Sequence, residues 1–413
     1  MTRGASRCGA FAFEGAGAGL AQTLPIGVLF STTGPYASLG REGFLGASLA
    51  IAEINEAGRL PVRLAAVERD PRGNTEAYAG LCRSIVDAGA RFIVGCTTSW
   101  SRKEVIPVLE KTGTQLWYPC PYEGFEGNDH VVYVGSCPNQ HIVPLLEHVL
   151  ERFGRDPLLV GSNYIWGWET NRIARDYVEA HGGRVKGERF VPLGDTDIGH
   201  IIDEVRLKRP DFVLNTLIGP SSAAFVEAYW RLGEDDPAFD PSRRPIISCN
   251  WTESEIAALG VRARGHLTIA PYFQSLDTPA NARFLATLRR LLPAMERPSA
   301  FFAQAYAAVH MIARGLAATG AADVDGVLAA AKADSYEAPF GPLGIHAETN
   351  HAILTPHIAR AGAAGVFEVV ARTERPIVPD PYLARSGAVP APLAAGAGVT
   401  GDDQRPLHLR VVK

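Results

Sequence analysis

Between residues 24 and 271 the chain alternates short β-rich runs, each closed by glycine, proline or polar residues, with amphipathic segments of helix length. A parallel sheet demands that order, because a crossover helix must carry the chain back before the next strand can pair. Strand-like runs fall at 26–31, 62–67, 91–96 and 115–118. After the first of them Phe44, Ala47, Ile51 and Ile54 recur at spacings of three and four, an apolar stripe that Gly58 brings to an end. A second series opens after Tyr133, with helices expected over 139–153, 168–181, 201–208, 222–232 and 253–259. Its strands are expected over 158–161, 190–192, 212–217, 246–250 and 266–271. The pattern predicts two doubly wound parallel α/β sheets, and a length of 413 residues agrees, since single cores stop growing at about 250–300 residues.

Beyond Pro271 the texture turns helical over 280–292 and 299–319, the latter apolar nearly all round and so expected to be buried. Two β-like stretches at 353–359 and 366–372 flank a small-residue break that suits a hairpin. The Ala/Gly/Pro run up to Val399 reads as a flexible tail, assigned to residues 386–413. At the other end, residues 1–23 read as a disordered extension or a weak leader. Glu14, Gly9, Gly15, Gly17 and Gly19 interrupt what would be the apolar core of a signal peptide.

A net charge of -4 and a pI near 6.3 lack the basic footprint that nucleic acid demands. No run of about 18 apolar residues is free of charges, so no membrane span is expected. The cysteines Cys8, Cys82, Cys96, Cys120, Cys137 and Cys249 form neither CxxC pairs nor a zinc spacing. They are expected to pack as small hydrophobes, which points to a reducing, cytoplasmic compartment. Nucleophile-elbow, phosphate-loop, dinucleotide and zinc-protease motifs are absent, and His346, His351 and His357 lack ligand spacing. The expectation is a protein without catalytic activity, cofactor or metal.

Candidate site residues gather where strands run out into loops, the place where open α/β sheets receive ligands. The first strand exit is VGCTTSWSRK at 94–103, where Ser99 reads equally as a helix N-cap and as a hydroxyl donor to a ligand. The second is YPCPYEGFE at 118–126, where Pro119 and Pro121 stiffen the turn around Tyr118 and Cys120. Tyr164 and Trp166 occupy the corresponding exit in the second series and serve as well for core packing as for a pocket wall. Arg102 and Lys103, near a helix N-terminus, oppose its dipole, and read equally as partners of Glu123 or Glu126 and as a solvated pair of charges.

Taken together and in order, IGVLFSTTGPYA at 26–37, INEAG at 54–58, DPRGN at 70–74, the two exits above, PNQ at 138–140, GSNYIW at 161–166, APYFQSLDTP at 270–279 and PDPY at 379–382 resemble the type I periplasmic-binding-protein fold. The likeness is to its amide- and urea-binding branch, which includes the amide sensor of the aliphatic amidase operon. The resemblance implies two lobes joined by three crossing segments, expected near Ser136, Tyr272 and Gly341. The first lobe would hold residues 24–136 and 273–341, the second 137–272 and 342–385. It also implies a pocket of Ser99, Tyr118, Pro119, Pro121 and Tyr164. This chain departs from the branch at three neighbours, with Thr97 in place of an aromatic residue, Cys120 in place of a threonine or small residue, and Trp166 in place of tyrosine or phenylalanine.

Two functions fit. The first is a cytoplasmic sensor that encloses a small neutral amide or urea and releases an RNA-binding antitermination regulator. The second is the periplasmic substrate-binding component of an ABC transporter for amides, urea or branched-chain amino acids, whose partner is the ABC permease.

Overall fold

The computed structural model describes residues 22–384 and 409–411, so the expectations for residues 1–21 and most of 386–413 lie outside the described residues. The first lobe is built on β1 (Thr23–Leu29), α1 (Ala37–Ala57), β2 (Arg63–Arg69), α2 (Ala77–Asp87), β3 (Phe92–Gly95), α3 (Ser99–Thr112), β4 (Gln115–Tyr118) and β5 (Val131–Tyr133). Its five strands pair in parallel in the order β2-β1-β3-β4-β5. Helix α1 begins seven residues before its apolar stripe, with Leu39 and Gly40 already buried, and it stops at Gly58 in a left-handed cap.

The second lobe runs through α4 (Ile142–Arg152), β6 (Leu158–Ser162), α5 (Ile165–Ala180), β7 (Gly187–Val191), α6 (Gly199–Lys208), β8 (Val213–Thr216), α7 (Pro220–Asp235), β9 (Ile246–Ser248), α8 (Glu253–Leu259) and β10 (Leu267–Ala270). The chain then returns to the first lobe as α9 (Pro279–Leu291), α10 (Ala300–Thr319), α11 (Val324–Ala333), β11 (Tyr336–Ala338), β12 (Gly341–Ile345) and β13 (Ala352–Ile353). It ends in the second lobe with β14 (His357–Ala361), β15 (Phe367–Thr373) and β16 (Leu409–Val411). Helix α10 is buried along almost its whole length against α1 and the first sheet, as its apolar surface requires.

Three expectations are corrected. The second sheet is mixed: β7, β6, β8, β9 and β10 are parallel, but β14, β15 and β16 extend it antiparallel in the order β16-β15-β14-β10-β9-β8-β6-β7. Part of the expected flexible tail is therefore the edge strand Leu409–Val411. The third crossing falls near Pro356, not Gly341. Gly341, with φ of +101°, closes the β11–β12 hairpin, and Leu343, Ile345, Ala352 and Leu354 stay in the first-lobe core. The run expected as one strand over 353–359 breaks at Pro356, which has no N–H to continue a ladder, and its halves serve different lobes.

Gln140 ties the first crossing to the third. Buried Gln140 donates from Nε2 to the carbonyls of Ala352 (2.8 Å) and Ile377 (2.9 Å), and its Oε1 accepts from the Cys137 amide (3.2 Å). Neighbouring Asn139 donates to Val378 O and accepts from the Asp380 amide, which brings the PDPY segment to the hinge. Gln140→Leu removes the donor shared by the Ala352 and Ile377 carbonyls and the acceptor of the Cys137 amide, and is expected to cost roughly 2–4 kcal/mol. Urea denaturation checks this: the midpoint falls, with the slope unchanged.

Candidate ligand-binding cleft

The carboxyl ends of β3 and β4 face those of β6, β8 and β9 across the gap between the lobes. At the exit of β3, Cys96 adopts φ of +65°, a left-handed conformation that costs a non-glycine residue on the order of 1–3 kcal/mol. That turn sends Thr97, Thr98 and Ser99 into the cleft. Thr98, not Ser99, is the N-cap of α3: its Oγ1 accepts from the Ser101 amide (3.1 Å) in a capping box. Ser99 is thereby released from capping, and its hydroxyl donates in a short hydrogen bond to Oε2 of Glu123. The amides of Ser99 and Trp100, in the first turn of α3, take no partner among the described residues.

Glu123 belongs to a buried charge cluster. Arg102, fully buried, lies 2.6 Å from Glu126 Oε1 through Nε and 3.5 Å from Glu123 Oε1 through a terminal nitrogen, while Lys103 bonds Glu126 at 2.5 Å. Both expected partners of Arg102 are therefore engaged. The guanidinium carbon sits 4.6 Å from the ring centroids of Tyr118 and Tyr122. Burial alone would lower the Arg102 pKa, but Glu126, Tyr118 and Glu123 hold it well above its ordinary value.

One cavity lies between the lobes, bordered by Thr97, Thr98, Ser99, Tyr118, Pro121, Tyr164 and Trp166. Leu39 of α1, Ile218 and Asn250 at the exits of β8 and β9, and Phe301 of α10 complete it. Its free volume for the centre of a water molecule is about 20 Å³, close to the least that holds one water. Every bordering side chain is uncharged. Two of them carry buried polar atoms without a hydrogen-bond partner, Thr97 Oγ1 and Trp166 Nε1. Tyr118 OH donates to the Thr97 carbonyl (3.2 Å), and Asn250 Nδ2 donates to the Leu217 carbonyl (3.2 Å).

Of the sequence candidates, Pro119 and Cys120 do not border this cavity. The Cys120 thiol turns back to the Cys96 carbonyl at 3.5 Å, and burial pushes its pKa far up, so it stays a packed thiol and not a nucleophile. Gly135 explains the close fit behind it, since a Cβ there would meet the Cys120 carbonyl oxygen at 1.7 Å. Sequence reasoning missed Leu39, Thr98, Ile218, Asn250 and Phe301. Ile218 and Asn250 obey the same strand-exit rule as Ser99, whereas Leu39 and Phe301 project from helix starts that no motif marks.

Two contacts close the cleft from its sides. Trp100 of α3 meets Tyr164 with ring centroids 5.4 Å apart, and the buried Glu42 carboxyl of α1 accepts from Ser254 Oγ of α8 (2.6 Å) and from the Ser299 amide (3.0 Å).

A two-lobed α/β protein with a cleft of this kind is a ligand-binding protein by architecture. Residues 24–387 match the periplasmic binding protein domain, and the chain belongs to that family. Among its relatives are a Leu/Ile/Val-binding protein homolog of Brucella melitensis, 24% identical over 81% of this chain and 87% of the relative. Another is the leucine-, isoleucine-, valine-, threonine- and alanine-binding protein of Pseudomonas aeruginosa, 25% identical over 78% and 86%. Similar folds include a solute-binding protein of an ABC transporter from Rhodopseudomonas palustris in complex with p-hydroxybenzoic acid, with a TM-score of 0.76, 23% identity and coverage of 84% and 95%. The branched-chain amino acid transporter substrate-binding protein of Streptococcus pneumoniae, in complex with isoleucine, has a TM-score of 0.72 at 20% identity, covering 84% and 99%. The type I periplasmic binding fold expected from the sequence is the fold observed.

The charge cluster sets a pH dependence. Burial raises the Glu126 pKa, but Arg102 and Lys103 outweigh it and bring the carboxyl from about 4.5 down to about 2. Folding favours the ionised form, so this stabilisation is complete above pH 4.5 and is lost as pH falls towards 2. Wild-type stability is expected to drop by about 2–3 kcal/mol across that window. In Glu126→Gln the acid-induced drop becomes smaller, measured as urea midpoints at pH 6 and pH 3.

Proposed function

We propose that this protein is the substrate-binding component of an ABC importer, and that its cleft takes a small neutral molecule with an amide-type group, such as urea or a short aliphatic amide. The observation that carries the ligand class is the bond from Ser99 to Glu123. Ser99 has one proton, and Glu123 holds it, so towards the cavity the serine oxygen offers lone pairs only. It calls for an N–H on the ligand. Thr97 Oγ1 and Trp166 Nε1 are donors without partners, and the first amides of α3 are donors as well, so the same ligand needs an acceptor. A carboxamide or urea carries both within a few atoms.

Charge and size favour the same class. An α-ammonium group needs a carboxylate whose charge is free to receive it, and the one carboxylate bonded to a cavity residue, Glu123, gives Oε2 to Ser99 while its Oε1, buried without a hydrogen bond, has its charge met by Arg102 at 3.5 Å. A cavity of about 20 Å³, room for about one water, must widen for any of these ligands, and least for urea or a short amide. Leucine or hydroxybenzoate would need the lobes to stand further apart.

The importer role is supported by the named relatives, which are binding proteins for amino acids and aromatic acids, and it places the protein in the periplasm beside a permease. The sensor role implied by the resemblance uses the same pocket in the cytoplasm, with a regulator as partner. Fractionation of native cells separates the two, since recovery with cytosolic markers would overturn the importer role.

Calorimetric titration with acetamide, propionamide, urea, leucine and 4-hydroxybenzoate tests the ligand class. Saturable heat is expected from at least one of the first three, and heat from leucine or hydroxybenzoate alone overturns it. Trp166→Phe deletes one donor and keeps the aromatic wall, so it should weaken amide binding about tenfold, at the upper end of a neutral hydrogen bond.

A further inference from the structure

Helices α1 and α10 pack side by side, and Leu39 and Phe301 near their N-terminal ends border the cleft. Towards their other ends, roughly 25 Å along α1, they open a second cavity with α9 and β11. Its volume, measured like that of the cleft, is about 540 Å³, within the range of organic-ligand pockets. It lies wholly within the first lobe.

The wall is aromatic and internally braced. The His310 ring stacks on Tyr336 at 5.2 Å and 9°, and on the other side its centroid is 4.4 Å from Tyr306. Phe284 meets Tyr306 edge-on at 5.0 Å. Glu53 anchors this set: its carboxylate accepts from Tyr306 OH in a short bond and from Thr287 Oγ1 at 3.3 Å, and it lies 3.2 Å from His310 Nε2. With its acceptors taken up in this way, Glu53 is a bracing group and has little left for a cationic ligand.

The rim carries the opposite charge. Arg314 is tied to Asp334, but Arg59 and Arg283, which also border the cavity, make no hydrogen bond or ion pair among the described residues. Against them stands one exposed carboxylate, Glu337. An apolar aromatic floor beneath two uncommitted guanidinium groups is chemistry for a flat organic anion, whose ring lies on Tyr306 and Tyr336 while its carboxylate reaches the rim.

We propose that this cavity is a second ligand site, separate from the cleft, for an aromatic carboxylate of one or two rings. The site lies in one lobe, so its occupancy does not require closure, and the proposal is independent of the amide assignment.

The test is equilibrium titration of the full chain with 2-naphthoate, 2-naphthylmethanol and 2-naphthylmethylamine, which share a ring system and differ in charge. The naphthoate is expected to bind at least tenfold more tightly than the other two. Combined Arg59→Gln and Arg283→Gln should weaken it tenfold or more, and Ala317→Trp, at an exposed position on the cavity border, should block it. Thermal melting confirms that these surface variants stay folded. Trp166→Phe in the cleft should leave naphthoate affinity unchanged within twofold. Equal binding of all three probes, indifference to the arginine and Ala317 variants, or loss on changing Trp166 would each overturn the site. The last of these would place the anion in the cleft.

Discussion

The buried guanidinium of Arg102 holds the first wall of the cleft in place. It sits in the first turn of α3, where a cation opposes the helix dipole, and it has no exposure to water. Such a placement survives only if counter-charges meet it, because removing one partner from a buried pair costs on the order of 3–5 kcal/mol. Glu123 and Glu126 supply them from the turn that follows β4, so the two loops that form the wall are locked to each other by charge. The lock continues inward. Tyr133 of β5 donates to Glu126 at 2.9 Å, and the His351 ring stacks on Tyr133 at 4.2 Å, just before the third crossing. Burial lowers the His351 pKa to about 4, so the ring joins this stack neutral at ordinary pH.

Charge thus lies immediately behind a lining that has none. Glu123 reaches the cavity only through Ser99, and Arg102 only through the face of Tyr118. The protein keeps the ordering power of an ion cluster while presenting hydroxyls, an indole N–H and ring faces to the ligand. For a neutral guest this avoids the desolvation of an unmatched charge on every binding event, which a bare carboxylate in the cavity would incur.

Four of the five strands of the first sheet were legible from their alternation, each run followed by polar, glycine or proline residues, whereas the three-residue β5 carried no such signal. The second lobe was legible up to β10, where the βα rhythm stops. The hairpin of β14 and β15 was legible, but its place in the second sheet was not, because β14 joins β10 from far along the chain and Leu409–Val411 sits beyond a low-complexity run. The third crossing escaped for a local reason: residues 353–359 have β-forming composition on both sides of Pro356, so composition alone joins what the fold divides. In the site, Thr97, Ser99, Tyr118, Pro121, Tyr164 and Trp166 were visible as strand exits. The capping role went to Thr98 because an N-cap needs extended backbone, and Thr98 has φ of -111° and ψ of 159° while Ser99 is already helical.

The few contacts that bridge the lobes away from the hinge bear on how the cleft works. Trp100 against Tyr164, Ser254 on Glu42, Arg297 on the Gly365 carbonyl (2.6 Å) and Arg172 over the Phe125 ring (4.9 Å) join side chains of one lobe to the other, while the crossings near Gln140 tie the hinge. Contacts of these kinds are each worth about 0.5–3 kcal/mol, a size that a ligand bound across the lobes can match. A ligand shifts such an equilibrium only by as much as it favours one arrangement over the other. On the reading proposed above, Ser99 and Thr97 on one lobe and Trp166 on the other would supply that preference, because a ligand would satisfy all three only when the lobes meet. The hinge would fix the path, and on that reading the polar atoms divided between the lobes would make closure depend on what is bound.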